Sequence, residues 1–426
     1  MNGLRQAQLA TRVDVERAGV GSVVGIRFSP PATAARNANR FQHRISRIQR
    51  PFFCALIALV ALTLALAAQA GPLPAPPQLS ADSYLLMDYH SGQILGARDA
   101  DKRVEPASLT KMMTAYLVSV EVERGHVAFD DDVIISDKSQ AIEGSRMFLE
   151  AGKTVKLWDL LKGLIIQSGN DASVAVAEHI AASEEGFVTL MNQMATDLGM
   201  TDTNYVNASG LPHPQHYTTA SDLAILSRAL IRDYPDEYIL YAVRQYEFNG
   251  IKQPNRNKLL FRDSSVDGIK TGHTQAAGYC LVASAERDNM RLISVVLGAG
   301  SEKIRAAESQ RLLNYGFRFF RTSKIYSAGE KISDARIWMG KQKQISLGVA
   351  DDLYLTLPRD EFDQLSSQIE LSEYIRAPAR IGQQFGRSVL MAGERVVSEV
   401  PLLALQKVEE GGVLLRLKDG IMRHFQ

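Results

Sequence analysis

The sequence predicts an α/β (α+β) sandwich, an antiparallel sheet interrupted by a helical insertion, followed by a small all-β domain. Three observations predict it. Strand-patterned runs lie near residue 85 and again from about 245 to 300, helical period dominates the stretch between them, and beyond Lys324 the chain turns to short β runs. At 426 residues, 46% hydrophobic and 22% charged, the chain has the length and composition for two well-filled cores.

Residues 1–50 hold nine arginines and no lysine against Asp14 and Glu16, about +7, which leaves the rest at 1 − 7 = −6. That balance gives the folded part no electrostatic footprint for nucleic acid. From Phe52 to Ala68, "FFCALIALVALTLALAA" is apolar and uncharged, with Arg44, Arg47 and Arg50 before it and Ala68-Gln69-Ala70 after it. A basic flank, a short apolar core and an A-x-A site make residues 1–70 a basic leader and signal peptide, with a mature start near Gly71. A retained transmembrane anchor is the rival reading, for which the run is short. Cys54 leaves with the signal, and Cys280 stays alone in the apolar run "GYCLVASA", so the exported chain forms no internal disulfide.

After the Pro-rich "GPLPAPPQ", the stretch "SYLLMDYHSGQILGARDAD" reads as two strands around a turn at His90-Ser91-Gly92. A helix follows over "EPASLTKMMTAYL", with Pro106 in its first turn. Helical period then covers "VKLWDLLKGLIIQ", "DASVAVAEHIAAS" and "SDLAILSRALIRD". Strands return in "YEFNGI", "VDGIKTG", "GYCLVASAER" and "MRLISVVLGAG", and a helix through "AAESQRLLNYGFRFF" closes a first domain at 79–322. Residues 324–410 form the β domain. Residues 411–426 form an amphipathic tail in which Val413, Leu414, Leu417, Ile421 and Phe425 share a face opposite Arg416 and Arg423.

Ser108 and Lys111 stand three apart on the first helix, so both project from one face. A serine hydroxyl attacks only when something takes its proton, and a lysine amine does so once its pKa is pushed down. Roughly one or two S-x-x-K matches arise by chance in a chain this long, so the pair needs company. It has company in Ser168-Gly169-Asn170 and in Lys270-Thr271-Gly272-His273, each pattern occurring once and in that order. Burial near the helix start and a second cation, Lys270, are both expected to depress Lys111. No His, Cys and carboxylate grouping has metal-ligand spacing and no phosphate loop is present, so the chemistry needs neither metal nor cofactor.

The order S-x-x-K, S-G-N, K-T-G resembles the penicillin-recognising serine enzymes, with S-G-N in place of S-D-N. The segments "PASLTKMMTAYL", "LIIQSGNDASVAVAEHIA", "FNGIKQPNRNKLLF", "DGIKTGHTQAAGYCLVASA" and "AAESQRLLNYGFRFF" carry that likeness over about residues 79–412. They are similar to the D-alanyl-D-alanine carboxypeptidases of bacterial cell walls, the penicillin-binding protein 5/6 type. The resemblance implies a serine-transpeptidase-like (β-lactamase-like) sandwich, a peptidoglycan pentapeptide substrate and β-lactam antibiotics as covalent inhibitors.

By that resemblance Ser108 is the nucleophile, Lys111 the general base and Ser168 the proton relay. Asn170 bonds substrate and Lys111, and Lys270 and Thr271 take the substrate's terminal carboxylate. Gly272 lets substrate lie along the strand, while the N–H groups of Ser108 and His273 form the oxyanion hole. Arg256 and, more weakly, Arg305 match arginines of the family; the His273 side chain reads as a pocket wall, and His179 and His216 as structural or exposed. The tail is expected to hold the exported enzyme peripherally on the periplasmic face of the inner membrane. A β-lactamase and a catalytically silent wall-binding protein are the alternatives. Against the first, none of Glu178, Glu184 and Glu185 sits in a segment like that family's base-bearing loop.

Overall fold

Strand β1 (Ser83–Asp88) is buried at every position. A strand covered on both faces reads in sequence as an unbroken apolar run, and YLLM, Tyr84 to Met87, is one. With β2 (Ile94–Arg98), β3 (Val266–Thr274), β4 (Gly278–Arg287) and β5 (Met290–Ala299) it forms an antiparallel sheet in the order β2-β1-β5-β4-β3. The computed structural model describes residues 73–422 and a short strand, Val24–Arg27, paired antiparallel with Leu365–Leu371. The signal-peptide reading of 52–70 and most of the basic leader lie outside the described residues.

Helices α1 (Lys111–Glu123), α2 (Asn170–Ala181), α3 (Glu184–Leu198) and α4 (Ala220–Asp233) cover one face of the sheet, and α5 (Glu302–Phe319) covers the other. The two-residue period of the strands divides the cores. Leu85, Met87, Ile293 and Val295 join the helical insertion, whereas Tyr84, Leu86, Leu292 and Val296 join α5. Helix α1 is buried continuously from Lys111 to Glu121, so it is the apolar centre of the insertion rather than a surface helix. Serine and threonine caps start three of the other long helices: Ser183 accepts from Gly186 N–H, Thr219 from Asp222 N–H and Ser301 from Ile304 N–H.

Two helical readings change in the structure. The stretch beginning at Glu105 is not one α-helix: Ala107–Thr110 is a 3₁₀ turn, and regular α geometry begins at Lys111. Ala107 holds a φ of +48°, a conformation an α-helix cannot contain, so Ser108 sits on a tight turn at the helix head. Likewise "VKLWDLLKGLIIQ" is α-helical over Leu157–Lys162 and then widens into a π turn, Gly163–Gln167, which ends at Ser168 in the left-handed region (φ +64°).

The chain divides into two units, one comprising Ala75–Ser323 with Tyr354–Thr356 and the other Lys324–Leu353 with Leu357 onward. In the second, the strands Leu365–Leu371, Gln384–Ala392, Arg395–Ala404, Gln344–Gly348 and Lys331–Arg336 are neighbours in that order. Its last helix, Val413–Met422, leaves Val413, Leu414, Leu417 and Ile421 exposed, while Asp419 accepts the Met339 N–H at 2.7 Å. Arg423 and Phe425 of the expected amphipathic face lie outside the described residues. Among the described residues no helix is long and apolar enough to cross a membrane.

Candidate active site

Three separate pieces of chain converge on Lys111. Its ammonium nitrogen lies 3.0 Å from Ser108 Oγ, 2.7 Å from Asn170 Oδ1 and 2.5 Å from the Ser209 carbonyl oxygen. The side chain is wholly buried, and burial pushes its pKa down to about 7 while the Asp171 carboxylate pulls the other way. A lysine so placed is half neutral at pH 7. Burial, one of the two causes expected from the sequence, is the larger influence on Lys111.

The repulsion between the two buried lysines disfavours the charged form of both. Lys270 is held well below the ordinary lysine range, first by burial and then by the charges of Lys111, Arg305 and Arg256. It lies on β3, an edge strand that pairs with β4, and donates to Ser168 Oγ at 2.9 Å. The site thus holds two serine–lysine pairs, Ser108 with Lys111 and Ser168 with Lys270.

Thr271 is buried beside Lys270, and the exposed His273 stacks on Tyr279 with ring centres 4.0 Å apart. Gly272 also has a packing use. A Cβ there would lie 3.0 Å from the Pro106 carbonyl oxygen and 3.3 Å from Ala107 Cβ, so the bare backbone lets β3 press against the Ser108 turn. Arg305 is buried and donates to the Gly272 carbonyl at 3.0 Å, fixing the strand from behind. Arg256 is exposed, its guanidinium 3.3 Å from Ser145 Oγ. His216 is buried against Thr110 Oγ1 (2.9 Å) with its pKa lowered to about 4 by burial, and His179 meets Asp131 at 3.2 Å. Cys280 is a buried thiol raised to about 11 by burial. Among the described residues no three His, Cys, Asp or Glu side chains gather as metal ligands do.

Sequence reasoning missed two supports. Asp171, next to Asn170, is buried and its carboxylate accepts the backbone N–H groups of Met147 (3.0 Å), Phe148 (2.8 Å) and Leu149 (3.1 Å). Asn170 itself binds the same loop, donating Nδ2–H to the Glu143 carbonyl at 2.6 Å and its backbone N–H to the Ser145 carbonyl at 2.7 Å. The S-G-N turn is thereby locked to the loop at 143–149. The second support is the turn at Asn207–Leu211, whose "NASGL" is a legible turn signature but whose contact with Lys111 is made by a backbone carbonyl.

The model of a family described as D-alanyl-D-alanine carboxypeptidase matches residues 71–301, and that of the penicillin-binding protein 5 C-terminal domain matches residues 320–410. The chain belongs to the D-alanyl-D-alanine carboxypeptidase family. This carboxypeptidase-family chain is 42% identical over 361 residues to D-alanyl-D-alanine carboxypeptidase DacA of Escherichia coli, covering 83% of this chain and 90% of that one. It is 41% identical to DacC of the same organism over 82% of this chain and 89% of that one. Among solved structures it resembles penicillin-binding protein 5 from Haemophilus influenzae, with a TM-score of 0.77 and 42% identity over 79% of this chain and all of that one. A Listeria monocytogenes penicillin-binding protein in its ampicillin-bound form matches 57% of this family member and all of that chain, at 31% identity and a TM-score of 0.53.

Proposed function

We propose that this chain is a serine-type DD-carboxypeptidase that removes the terminal D-alanine from peptidoglycan pentapeptide stems through an acyl-enzyme on Ser108, with Lys111 as general base. The observation that carries the reading is a buried lysine, its pKa near 7, 3.0 Å from a serine hydroxyl at a helix head. Ser108 Oγ attacks the carbonyl carbon between the two D-alanines as its proton passes to Lys111 Nζ. The N–H groups of Ser108 and His273 receive the oxyanion. Collapse breaks the C–N bond, Ser168 relays a proton to the departing amine, and free D-alanine leaves. Water then attacks the ester, again giving its proton to Lys111, and releases the shortened peptide.

Charge supports a substrate that ends in a carboxylate. Lys270, Arg256 and Arg305 bear on one another across the site, so an arriving anion offsets their mutual repulsion and the cost of burying Lys270. A β-lactam meets the same nucleophile, but its departing nitrogen stays tethered. The deciding experiment measures D-alanine released from a pentapeptide ending in D-Ala-D-Ala, with mass spectrometry after penicillin. Release together with a lasting adduct on Ser108 is expected. Rapid penicillin turnover would indicate a lactamase, and neither adduct nor release would indicate a silent wall-binding protein.

Asp171 offers a test of the base. Asp171→Asn removes the influence that raises Lys111, so the acid limb of penicillin acylation should move to lower pH. The amide also turns donors toward the loop's N–H groups, and urea unfolding should show a loss of about 1–3 kcal/mol.

We further propose export to the periplasm, where residues 411–426 hold the enzyme peripherally on the inner membrane with the peptidoglycan stem as its substrate. Exposed Val413, Leu414, Leu417 and Ile421 beside Arg416 and Lys418 support this, as apolar side chains enter the acyl boundary and cations meet anionic headgroups. Deleting Gly412–Gln426 from the signal-processed protein should move it to the soluble fraction. A truncated form that still pellets with inner membrane as the full form does would refute the anchor.

A further inference from the structure

We propose that Asn207 is a positioning residue for the general base, its side-chain amide folding the Asn207–Leu211 turn so that the Ser209 carbonyl takes one hydrogen of the neutral Lys111 amine. The inference rests on the reading of Lys111 as base given above. A neutral amine has two N–H bonds and one lone pair, and only the lone pair can accept the serine proton. Of the three oxygens around Lys111 Nζ, Asn170 Oδ1 (2.7 Å) and the Ser209 carbonyl (2.5 Å) can only accept hydrogen bonds, whereas Ser108 Oγ (3.0 Å) can donate. With both acceptors filled, the lone pair is left facing the Ser108 hydroxyl. Remove the Ser209 carbonyl and the amine is free to turn a hydrogen toward Ser108 instead.

In the reaction the Ser108 O–H bond breaks as the Oγ–C bond forms, and the proton makes Lys111 an ammonium. Its three N–H bonds then meet the same three oxygens. One set of acceptors therefore serves both protonation states without rearrangement.

The Ser209 carbonyl stays in place because one side chain organises the turn. Asn207 Oδ1 accepts the backbone N–H groups of Gly210 (2.7 Å), Leu211 (3.1 Å) and Ser209 (3.2 Å), and Asn207 Nδ2 donates to the Leu211 carbonyl at 2.9 Å. The flanking Ala208 is pinned from two helices, its N–H by Glu184 Oε1 (3.0 Å) and its carbonyl by Thr114 Oγ1 (2.7 Å). A second contact ties the same turn to the nucleophile. Gly210 has a φ of +86°, and a Cβ on it would overlap the Ala107 carbonyl and lie 3.0 Å from Ser108 N. The turn abuts both members of the Ser108–Lys111 pair.

The charged and titratable groups facing Lys111 are Asp171 from α2, Lys270 from β3 and His216 from the loop beyond the turn, with Glu184 of α3 against the turn and paired to Lys138. A change at Asn207 alters none of them directly. The test follows penicillin acylation of the signal-processed protein from about pH 5 to 10, beside its thermal midpoint. Asn207→Ala should lower the alkaline plateau roughly 10- to 100-fold, because the base loses its orientation. Asn207→Asp keeps an oxygen for the three N–H groups, so its plateau should return to within a few-fold of the parent. Its new negative charge favours the ammonium, so its acid limb should move to higher pH.

A normal plateau in a folded Asn207→Ala protein overturns the proposal. So does an Asn207→Asp protein that loses the plateau as fully as alanine does, for then the side chain serves the fold alone. Should the alanine variant not fold, the aspartate profile decides. Failure of the underlying reading looks different: Lys111→Ala would itself acylate normally.

Discussion

Ser108→Ala should abolish both penicillin labelling and D-alanine release, leaving less than about one ten-thousandth of either. The result is not foregone, because the site holds a second serine–lysine pair in Ser168 and Lys270. Two features separate the pairs. Lys111 has two further acceptors that can hold its hydrogens and aim its lone pair at Ser108, whereas Lys270 has the Ser168 hydroxyl and its neighbour's carbonyl at 3.2 Å. Ser108 also stands on the turn that β3 presses upon at Gly272, where its backbone N–H can serve the oxyanion. Ser168→Ala should accordingly slow acylation but still give an adduct, mapped to Ser108 by peptide mass spectrometry. An adduct on Ser168 in the Ser108→Ala protein would reverse the assignment.

Lys111→Ala should lose acylation by about 10³-fold or more while the protein still unfolds cooperatively. In the parent, lysine is a base only when neutral. With a pKa of about 7, acylation should rise with pH through 7 and fall away below it. The variant has no such limb, since the titrating group is gone. Lys111→Arg should be equally inactive, because a guanidinium stays charged throughout the accessible range. A folded Lys111→Ala protein with the parent's acid limb would remove lysine from the mechanism.

Much of this was legible in the sequence because side chains carry it. The five strands follow from apolar runs, and Ser108, Lys111, Ser168, Asn170 and Lys270 come together where the three motifs require. What escaped is carried by backbone. The Ser209 carbonyl has no residue-type signature, the positive φ of Ala107 is imposed by its neighbours rather than by alanine, and the π turn before Ser168 breaks a helical period without a proline. Asp171 escaped for another reason. Beside S-G-N it reads as an ordinary first-turn acid on a helix, and its three N–H partners lie more than twenty residues upstream.

The placement of β1 between β2 and β5 sets an order of events in folding. Pairing Asp88 with Leu292 closes a loop of roughly 200 residues, a closure that costs about 5 kcal/mol in chain entropy before any contact returns it. A hairpin of β1 and β2 can form early, yet its other edge, apolar on both faces, has no partner until Met290–Ala299 has emerged. The first domain is therefore completed from its C-terminal end, and a chain that has not yet reached Met290–Ala299 is held open by its own topology.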